Sequence, residues 1–323
     1  MIKIIELKNC LFTKRTKQYR IIKEVQMSKN IKKSPIFYMG NKERLIKKGL
    51  IDLFPKNIDN FIDLFCGSGI ISMNVNARRY ILNDYNSIII DLLNLFKNNS
   101  AKNIIRKIEE TVKSHNLLKG FNKGDLSATE EYKELAKSNY NKFRDYYNNI
   151  DNSILNLYIL SYYCNNNNIR FNKSGGFNVP IGNQCFNIDK HSQKIIDGCG
   201  FLSQKNVILT NKDYKSLNLN ICTKNDFIYL DPPYTNTLAI YNEQQGWGVQ
   251  DDYQLFKVCD NLTKQGIRWA MSNVFENKGV VNQHLIEWVN NNSYNVHYFN
   301  GFTYTSCGKG NAKTAEVLIT NYQ

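Results

Sequence analysis

Four residues, Asp231-Pro232-Pro233-Tyr234, follow directly on the apolar run Phe227-Ile228-Tyr229-Leu230. An apolar, β-prone run stopped by an acid and two prolines predicts a buried strand cut off at its carboxyl end. That is where open α/β sheets place their chemistry. Proline has no N–H and a fixed φ, so the turn is stiff and presents carbonyl oxygens. A carboxylate, a rigid carbonyl and an aromatic face side by side suit a flat nucleobase carrying an amino group. The tetrapeptide alone fits an ordinary strand-to-loop turn equally well, because Pro-Pro after a strand is a common stop.

The chemistry open to these residue types is transfer of a methyl group to an amine. The exocyclic amine of adenine is a poor nucleophile because its lone pair is delocalised into the ring. The Asp231 carboxylate and the Pro232 carbonyl can each accept one of its N–H groups, drawing the nitrogen toward tetrahedral geometry. They also stabilise the positive charge that develops on it. With a sulfonium methyl donor held in line, positioning supplies much of the acceleration. Tyr234 offers a stacking face, worth about 1–3 kcal/mol per base. No metal and no covalent nucleophile is needed. A base inside a duplex must first be flipped out, at a cost on the order of a few kcal/mol.

A second constellation precedes this one. The strand-like run Phe61 to Phe65 leads into Cys66-Gly67-Ser68-Gly69 and then a helix start at Ile70 to Val75. Strand, glycine turn, helix is the arrangement that brings backbone N–H groups up to a cofactor. A further strand, Tyr80 to Leu82, ends at Asn83-Asp84. An acid there, about 20 residues after the first strand, is placed to hold ribose hydroxyls. The missing third glycine disfavours a dinucleotide fingerprint, and no G-K-[ST] supports a P-loop. Asp63 reads equally as a polar residue at a strand end.

Other elements must hold these two groups. The spacing predicts helices over about Glu43 to Leu53, Ile88 to Phe96, Asp251 to Thr263 and Val280 to Val289, with residues 99–165 mostly helical. Strands are expected at Val207 to Leu209, ending near Asp213, and at Ile267 to Met271. Val296 to Phe299 and Glu316 to Thr320 read as a hairpin at a sheet edge, joined by a loop with Lys309 and Lys313. Thr235 to Gln250 is a plausible flap. The polar, turn-rich stretch Asn165 to Gly182 carries Asn168, Arg170, Asn172 and Pro180 among Ile169, Phe171, Phe177 and Val179. Aromatic side chains alternating with amides and Arg favour a base-reading loop over a linker.

The formal net charge of +14 points to a polyanionic partner. Up to Lys48 fourteen Lys and Arg face three Glu, so most of the excess is local and a basic tail explains it as well. Residues 1–33 are basic and weakly patterned, with no fold expected. Residues 1–26, ahead of Met27, are expected to be dispensable or to precede the true start. The eight cysteines include no C-x-x-C pair and no zinc spacing, the default for reduced thiols in a cytosolic protein. No signal peptide and no membrane-length apolar run is present, so a cytoplasmic protein is expected.

The motifs Y-M-G-N-K at 38–42, D-L-F-C-G-S-G at 63–69, N-D at 83–84, I-R-F-N at 169–172, F-N-V-P at 177–180, D-P-P-Y at 231–234 and S-N-V at 272–274 occur in this order. Together they resemble the Dam-type (D12 class, alpha group) DNA adenine-N6 methyltransferases, from about Pro35 onward. The resemblance implies a Rossmann-like α/β sheet dependent on S-adenosylmethionine, with an inserted, mainly helical target-recognition domain. The catalytic domain would comprise 34–98 and 201–323, the recognition domain 99–200, and the basic extension 1–33. Tyr38 and Lys42 would contact the methionine end of the cofactor, Lys42 pairing with its carboxylate. Asp63, Phe65, Gly67 and Gly69 would line the same site, Asp84 would take the ribose, and Asp213 would reach the cofactor's adenine. Asp231 to Tyr234 would hold the target adenine beside the methyl group. Arg170 matches an arginine that reads a guanine in GATC-specific members, and Pro180 a base-contacting proline. Asn165, Asn168, Asn172, Lys309 and Lys313 complete the expected DNA contacts. Two departures stand out: Asn165 replaces an aromatic that wedges the duplex in many members, and Phe37 replaces a lysine directed at the first guanine.

The implied substrate is double-stranded DNA, with a cognate restriction endonuclease as a possible companion and a monomer as the expected state. Rival readings are methylation of an RNA adenine, cytosine N4 or a protein glutamine, a DNA-binding homologue without catalysis, and a dinucleotide-dependent enzyme.

Overall fold

Parallel strands buried on both faces read as apolar runs, and the alternate residues of this sheet feed two different cores. The computed structural model describes residues 20–21, 31–38, 40–121, 128–236, 246–277, 279–303 and 313–323; of 20–21, 300–303 and 313–314 only the backbone is described. Within them the strands are β1 (Arg20–Ile21), β2 (Ile58–Asp63), β3 (Ala77–Asn83), β4 (Val207–Thr210), β5 (Phe227–Leu230), β6 (Arg268–Asn277), β7 (Val280–Val281), β8 (Asn295–Thr303) and β9 (Lys313–Thr320). The helices are α1 (Glu43–Lys47), α2 (Ile70–Asn74), α3 (Ser87–Asn98), α4 (Ala101–Ser114), α5 (Glu130–Asn149), α6 (Ile154–Tyr163), α7 (Ile188–Leu202), α8 (Val249–Lys264) and α9 (Gln283–Asn292).

One mixed sheet runs in the order β1-β8-β9-β6-β5-β2-β3-β4, with β7 paired to β6. The block β6-β5-β2-β3-β4 is parallel throughout. The chain builds outward from β2 to β3 and β4, then returns to lay β5 and β6 on the other side. The order therefore reverses between β2 and β5, the switch point at which such sheets bind ligands beyond their carboxyl ends. Phe61, Phe227 and Tyr229 point into one apolar layer with α3 to α7, whereas Ile62, Ile228 and Leu230 point into the other with α8 and α9. This is the mixed α/β, mostly parallel sheet that the resemblance implies.

Between α3 and β4 the chain inserts α4, α5, α6, the segment 165–182 and α7. α7 packs on α3 and α4, and α6 on α3. Phe96, Ile108, Tyr140, Tyr158 and Phe177 belong to the same core as Phe61 and Tyr229, so the insertion shares its interior with the sheet. Side-chain caps start several helices: Asn86 for α3, Ser100 for α4, Thr129 for α5 and Asn187 for α7.

Four expectations need correction. The α-helix from Glu43 stops at Lys47 because Gly49 takes φ +86°, and Ile51–Leu53 is a separate 3-10 turn. Val280–Val281 pairs antiparallel with β6, so the following helix begins only at Gln283, capped by Asn282. The C-terminal hairpin exists, but β9 lies inside the sheet between β8 and β6. The basic N-terminal stretch is not wholly without structure: Arg20–Ile21 pairs in parallel with His297 and Tyr298. No helix among the described residues is long and apolar enough to cross a membrane.

Candidate active site

The carboxyl ends of β2, β3 and β5 are stitched together by the turn after β2. Leu64 N–H donates to the Tyr229 carbonyl and Cys66 N–H to the Asn83 carbonyl, at 3.0 and 2.8 Å. Asn83 Nδ2 donates back to the Leu64 carbonyl at 3.1 Å. The turn needs its glycines. Gly67 and Gly69 sit at φ +46° and +72°, and a Cβ on Gly67 would come 2.9 Å from Cδ1 of Tyr38.

Asp84 accepts from Gly67 N–H on one oxygen and from Asn86 N–H on the other, both at 2.9 Å. Burial raises its carboxyl above the ordinary range, although both hydrogen bonds oppose the shift. Asp63 is more extreme. It is fully buried, its Oδ2 accepts from Ser72 Oγ at 2.7 Å, and its Oδ1 has no hydrogen-bond partner. Burial pushes its carboxyl up to about 7, the Ser72 hydroxyl opposes this, and the charges of Asp231 and Asp84 add to it.

These groups face one cavity of about 310 Å³. Tyr38, Lys42, Asp63, Phe65, Gly67, Asp84, Asp213 and Asp231 to Tyr234 all line it. Gly69 stands just behind, as the residue that opens α2. Asp213 caps a 3-10 turn by accepting from Lys215 N–H at 2.9 Å. Phe65, Tyr214 and Trp247 form an aromatic wall with ring centroids 5.4 to 5.9 Å apart. Tyr214 and Trp247 escaped the sequence reading: one follows a short strand and the other sits in the Gly/Gln-rich loop. The flap residues 237–245 lie outside the described residues.

At the other end of the cavity Asp231 is held from two sides. Tyr234 Oη donates to its Oδ1 at 2.8 Å, and Lys42 Nζ lies 2.7 Å from its Oδ2. Lys42 also donates to the Gly40 carbonyl at 2.9 Å, and Oε1 of the buried Glu316 stands 4.0 Å away. Burial and the Asp231 charge hold the Tyr234 phenol well above its usual range, so it stays a donor. In this structure the Lys42 ammonium therefore rests on the candidate catalytic acid itself. A lone acid in the apolar strand Glu316-Val317-Leu318-Ile319 was a visible signal for Glu316, and it went unread.

The segment 165–182 forms a folded platform. Cys164 bridges to Ile181 and Phe171 to Phe177, while Asn166 and Asn167 adopt φ +56° and +53°. Arg170 Nε donates to Asn178 Oδ1 at 3.0 Å, and Asn178 N–H donates to the Arg170 carbonyl at 3.2 Å. Asn172 is exposed and closes its own turn, its Oδ1 accepting from Ser174 and Gly176 N–H. Asn165 N–H donates to the Pro180 carbonyl, and the Asn168 carbonyl accepts from Cys164 Sγ. The Asn165 and Pro180 side chains are exposed. Lys309 lies outside the described residues, and Lys313 is placed only as backbone at the start of β9.

A cavity of this make-up fits a nucleoside-bearing methyl donor. The unsatisfied oxygen of Asp63 asks for a buried cationic donor, Asp84 holds the glycine turn where a ribose would lie, and the aromatic wall offers a slot for a flat ring. The family model described as D12 class N6 adenine-specific DNA methyltransferase matches residues 38–303. The chain belongs to that family. Among its relatives, the modification methylase StsI of Streptococcus sanguinis is 34% identical over 308 residues, covering 93% of this chain and 44% of that protein. The type II methyltransferase M.FokI of Planomicrobium okeanokoites is 31% identical over 296 residues, covering 90% and 43%. A DNA adenine methylase of Haemophilus influenzae is 27% identical over 213 residues, covering 66% and 68%. The chain thus spans less than half the length of the first two relatives.

Proposed function

We propose that this chain transfers a methyl group from S-adenosylmethionine to N6 of an adenine flipped out of duplex DNA. The observation that carries the reading is that Asp63, Asp84 and the Asp231 to Tyr234 turn face one continuous cavity. Donor and amine can therefore meet inside it. Asp63, Asp84, Asp213 and the glycine turn would hold the cofactor, with Tyr38 and Phe65 against it and Lys42 toward its methionine end. S-adenosylmethionine, when bound there, supplies an electrophilic methyl group on a sulfonium.

The chain's own residues do the rest. Asp231 Oδ1, once Tyr234 Oη gives it up, accepts one N–H of the target amine, and the Pro232 carbonyl accepts the other. The two acceptors localise the nitrogen lone pair and stabilise its developing charge. The buried Pro232 and the half-buried Pro233 keep the turn stiff and dry. Tyr234 supplies the stacking surface. Arg170 is the base reader, with Asn165, Asn168, Asn172, Pro180, Lys309 and Lys313 as further DNA contacts, and 99–200 acts as the recognition segment.

GATC is the first target to test, because Arg170 matches an arginine that reads a guanine in GATC-specific members. The greater identity to proteins named as modification methylases supports a place beside a restriction endonuclease. We take the protein to act in the cytoplasm as a monomer. The test is methyl transfer from labelled donor to duplexes with and without GATC, followed by sequencing of N6-methyladenine. Asp231→Ala should abolish transfer while leaving DNA binding. Full activity in that variant, or transfer only to RNA or protein, would overturn the reading.

A further inference from the structure

We propose that Asp252 is a positioning residue that couples the cofactor cavity to the turn gripping the target amine. Asp252 lies on the first turn of α8 and its carboxylate is almost fully buried. Trp247 Nε1 donates to Oδ1 at 2.9 Å, Thr235 Oγ1 donates to Oδ2 at 2.9 Å, and His284 Nε2 lies 2.7 Å from Oδ2. One acid therefore collects groups from three separate pieces of chain.

Each of those groups leads somewhere different. Thr235 is the next residue after Tyr234, whose hydroxyl is on Asp231. Trp247 belongs to the aromatic wall of the cofactor cavity, with its ring centroid 5.8 Å from that of Phe65. His284 belongs to α9, which packs on β6, and Asn282 Nδ2 reaches Thr235 Oγ1 at 3.4 Å from the cap of the same helix. Asp252 stands one layer behind the residues that line the cavity.

The physical consequence is mechanical. A buried carboxylate with three protein partners is held rigidly, because losing any one of them leaves buried charge undercompensated. Moving the Trp247 ring to admit a ligand shifts the acceptor that Thr235 depends on. Thr235 in turn fixes the exit of the Asp-Pro-Pro-Tyr turn, and with it the ring of Tyr234. Filling the cofactor cavity and setting the amine grip are thereby one event. The proposal rests on the methyl-transfer reading, but part of its test does not.

The experiment uses the full chain and five variants. Thr235→Val should lower kcat about tenfold, the loss of one hydrogen bond to a charged group, with the cofactor Kd held within about twofold. Thr235→Ser, which keeps the hydroxyl, should restore wild-type kcat. Trp247→Phe keeps a ring on the wall but removes the donor, and should lower kcat and weaken cofactor binding together. Combined, Thr235→Val and Trp247→Phe should cost little more in kcat than the worse single change, because both act through Asp252. Additive losses in the pair, or Thr235→Val lowering only the melting temperature, would overturn the coupling.

Asp252→Asn should weaken S-adenosylmethionine binding about tenfold by calorimetry. If that variant does not fold, the Thr235 and Trp247 series still decides. If the wild-type protein methylates no DNA, the functional reading fails, and calorimetry alone judges the coupling. Unaltered cofactor binding in both Asp252→Asn and Trp247→Phe would then end it.

Discussion

Lys42 Nζ stands 2.7 Å from Oδ2 of Asp231, although the two residues are far apart in the sequence. The neighbouring Oδ1 accepts from Tyr234, so each oxygen of the acid proposed to grip an amine already has a partner. On that proposal an incoming amine takes the second lone pair of Oδ1 or displaces Tyr234, which is easier to displace than Lys42 because it carries no charge. Lys42 sits between Asp231 and Glu316, one cation serving two acids. That arrangement fixes Asp231 in place at the cost of desolvating an ammonium.

Replacing Lys42 with Met should therefore be severe even without substrate. Asp231 and the buried Glu316 would lose the cation between them, and breaking a buried ion pair costs about 3–5 kcal/mol. Denaturant melts of wild type and Lys42→Met check this. A variant as stable as wild type would mean that the lysine contributes nothing to the fold.

Some of this was legible in the sequence because it is local. The glycine turn between β2 and α2 and the Asp-Pro-Pro-Tyr stop announce themselves within a few residues, and both lie where they were expected. Asn282, Thr235 and Asp252 show the opposite case. Each looks like ordinary loop or helix polarity until β6, α8 and α9 fold together, and only then do they form one network. The strand at Val280–Val281 was misread for the same reason. Two valines after a glycine carry no helix or strand periodicity, and their pairing with β6 decides the matter. Gly49 ends α1 through a left-handed φ that a helical stripe continuing through Leu50 and Ile51 conceals.

Asp63 makes the protein without cofactor sensitive to pH. In the unfolded chain its carboxyl titrates near the ordinary 3.8, whereas burial holds it at about 7 in the fold, with Ser72 opposing and Asp231 and Asp84 adding. Between those values the folded state binds more protons, so stability falls as pH rises through the window and levels off above it. Asp63→Asn removes the titration. Without cofactor this variant should melt higher than wild type at pH 8 and similarly at pH 4, with S-adenosylmethionine affinity reduced at least ~10-fold. Scanning calorimetry at the two pH values, with and without donor, tests both halves. A variant less stable than wild type at pH 8 would contradict the assignment.

Gly67 tests the turn rather than the charge. At φ +46° an added methyl is strained, and it would press on Tyr38 at 2.9 Å. Gly67→Ala should cost about 1–3 kcal/mol and displace Tyr38 from the cavity wall. Cofactor affinity should fall while DNA affinity in the absence of donor stays at wild type. Equal losses in both would show that the damage spreads beyond the turn.

Arg170 is proposed to set sequence preference, and its geometry makes the prediction specific. Nε is tied to Asn178 Oδ1 at 3.0 Å, which takes up one edge of the guanidinium and orients its plane. The two terminal nitrogens are then the ones suited to a bidentate contact with O6 and N7. Arg170→Ala should relax discrimination by about 1–3 kcal/mol at one base pair and leave the others unchanged. Arg170→Lys should not restore it, since an ammonium lacks the planar fork. Asn178→Ala should relax the same base pair by less, because it loosens the reader without removing it. Methylation rates across a set of duplexes, each differing from the preferred site by one base pair, distinguish these outcomes. A uniform drop across the set would assign Arg170 to the phosphates instead.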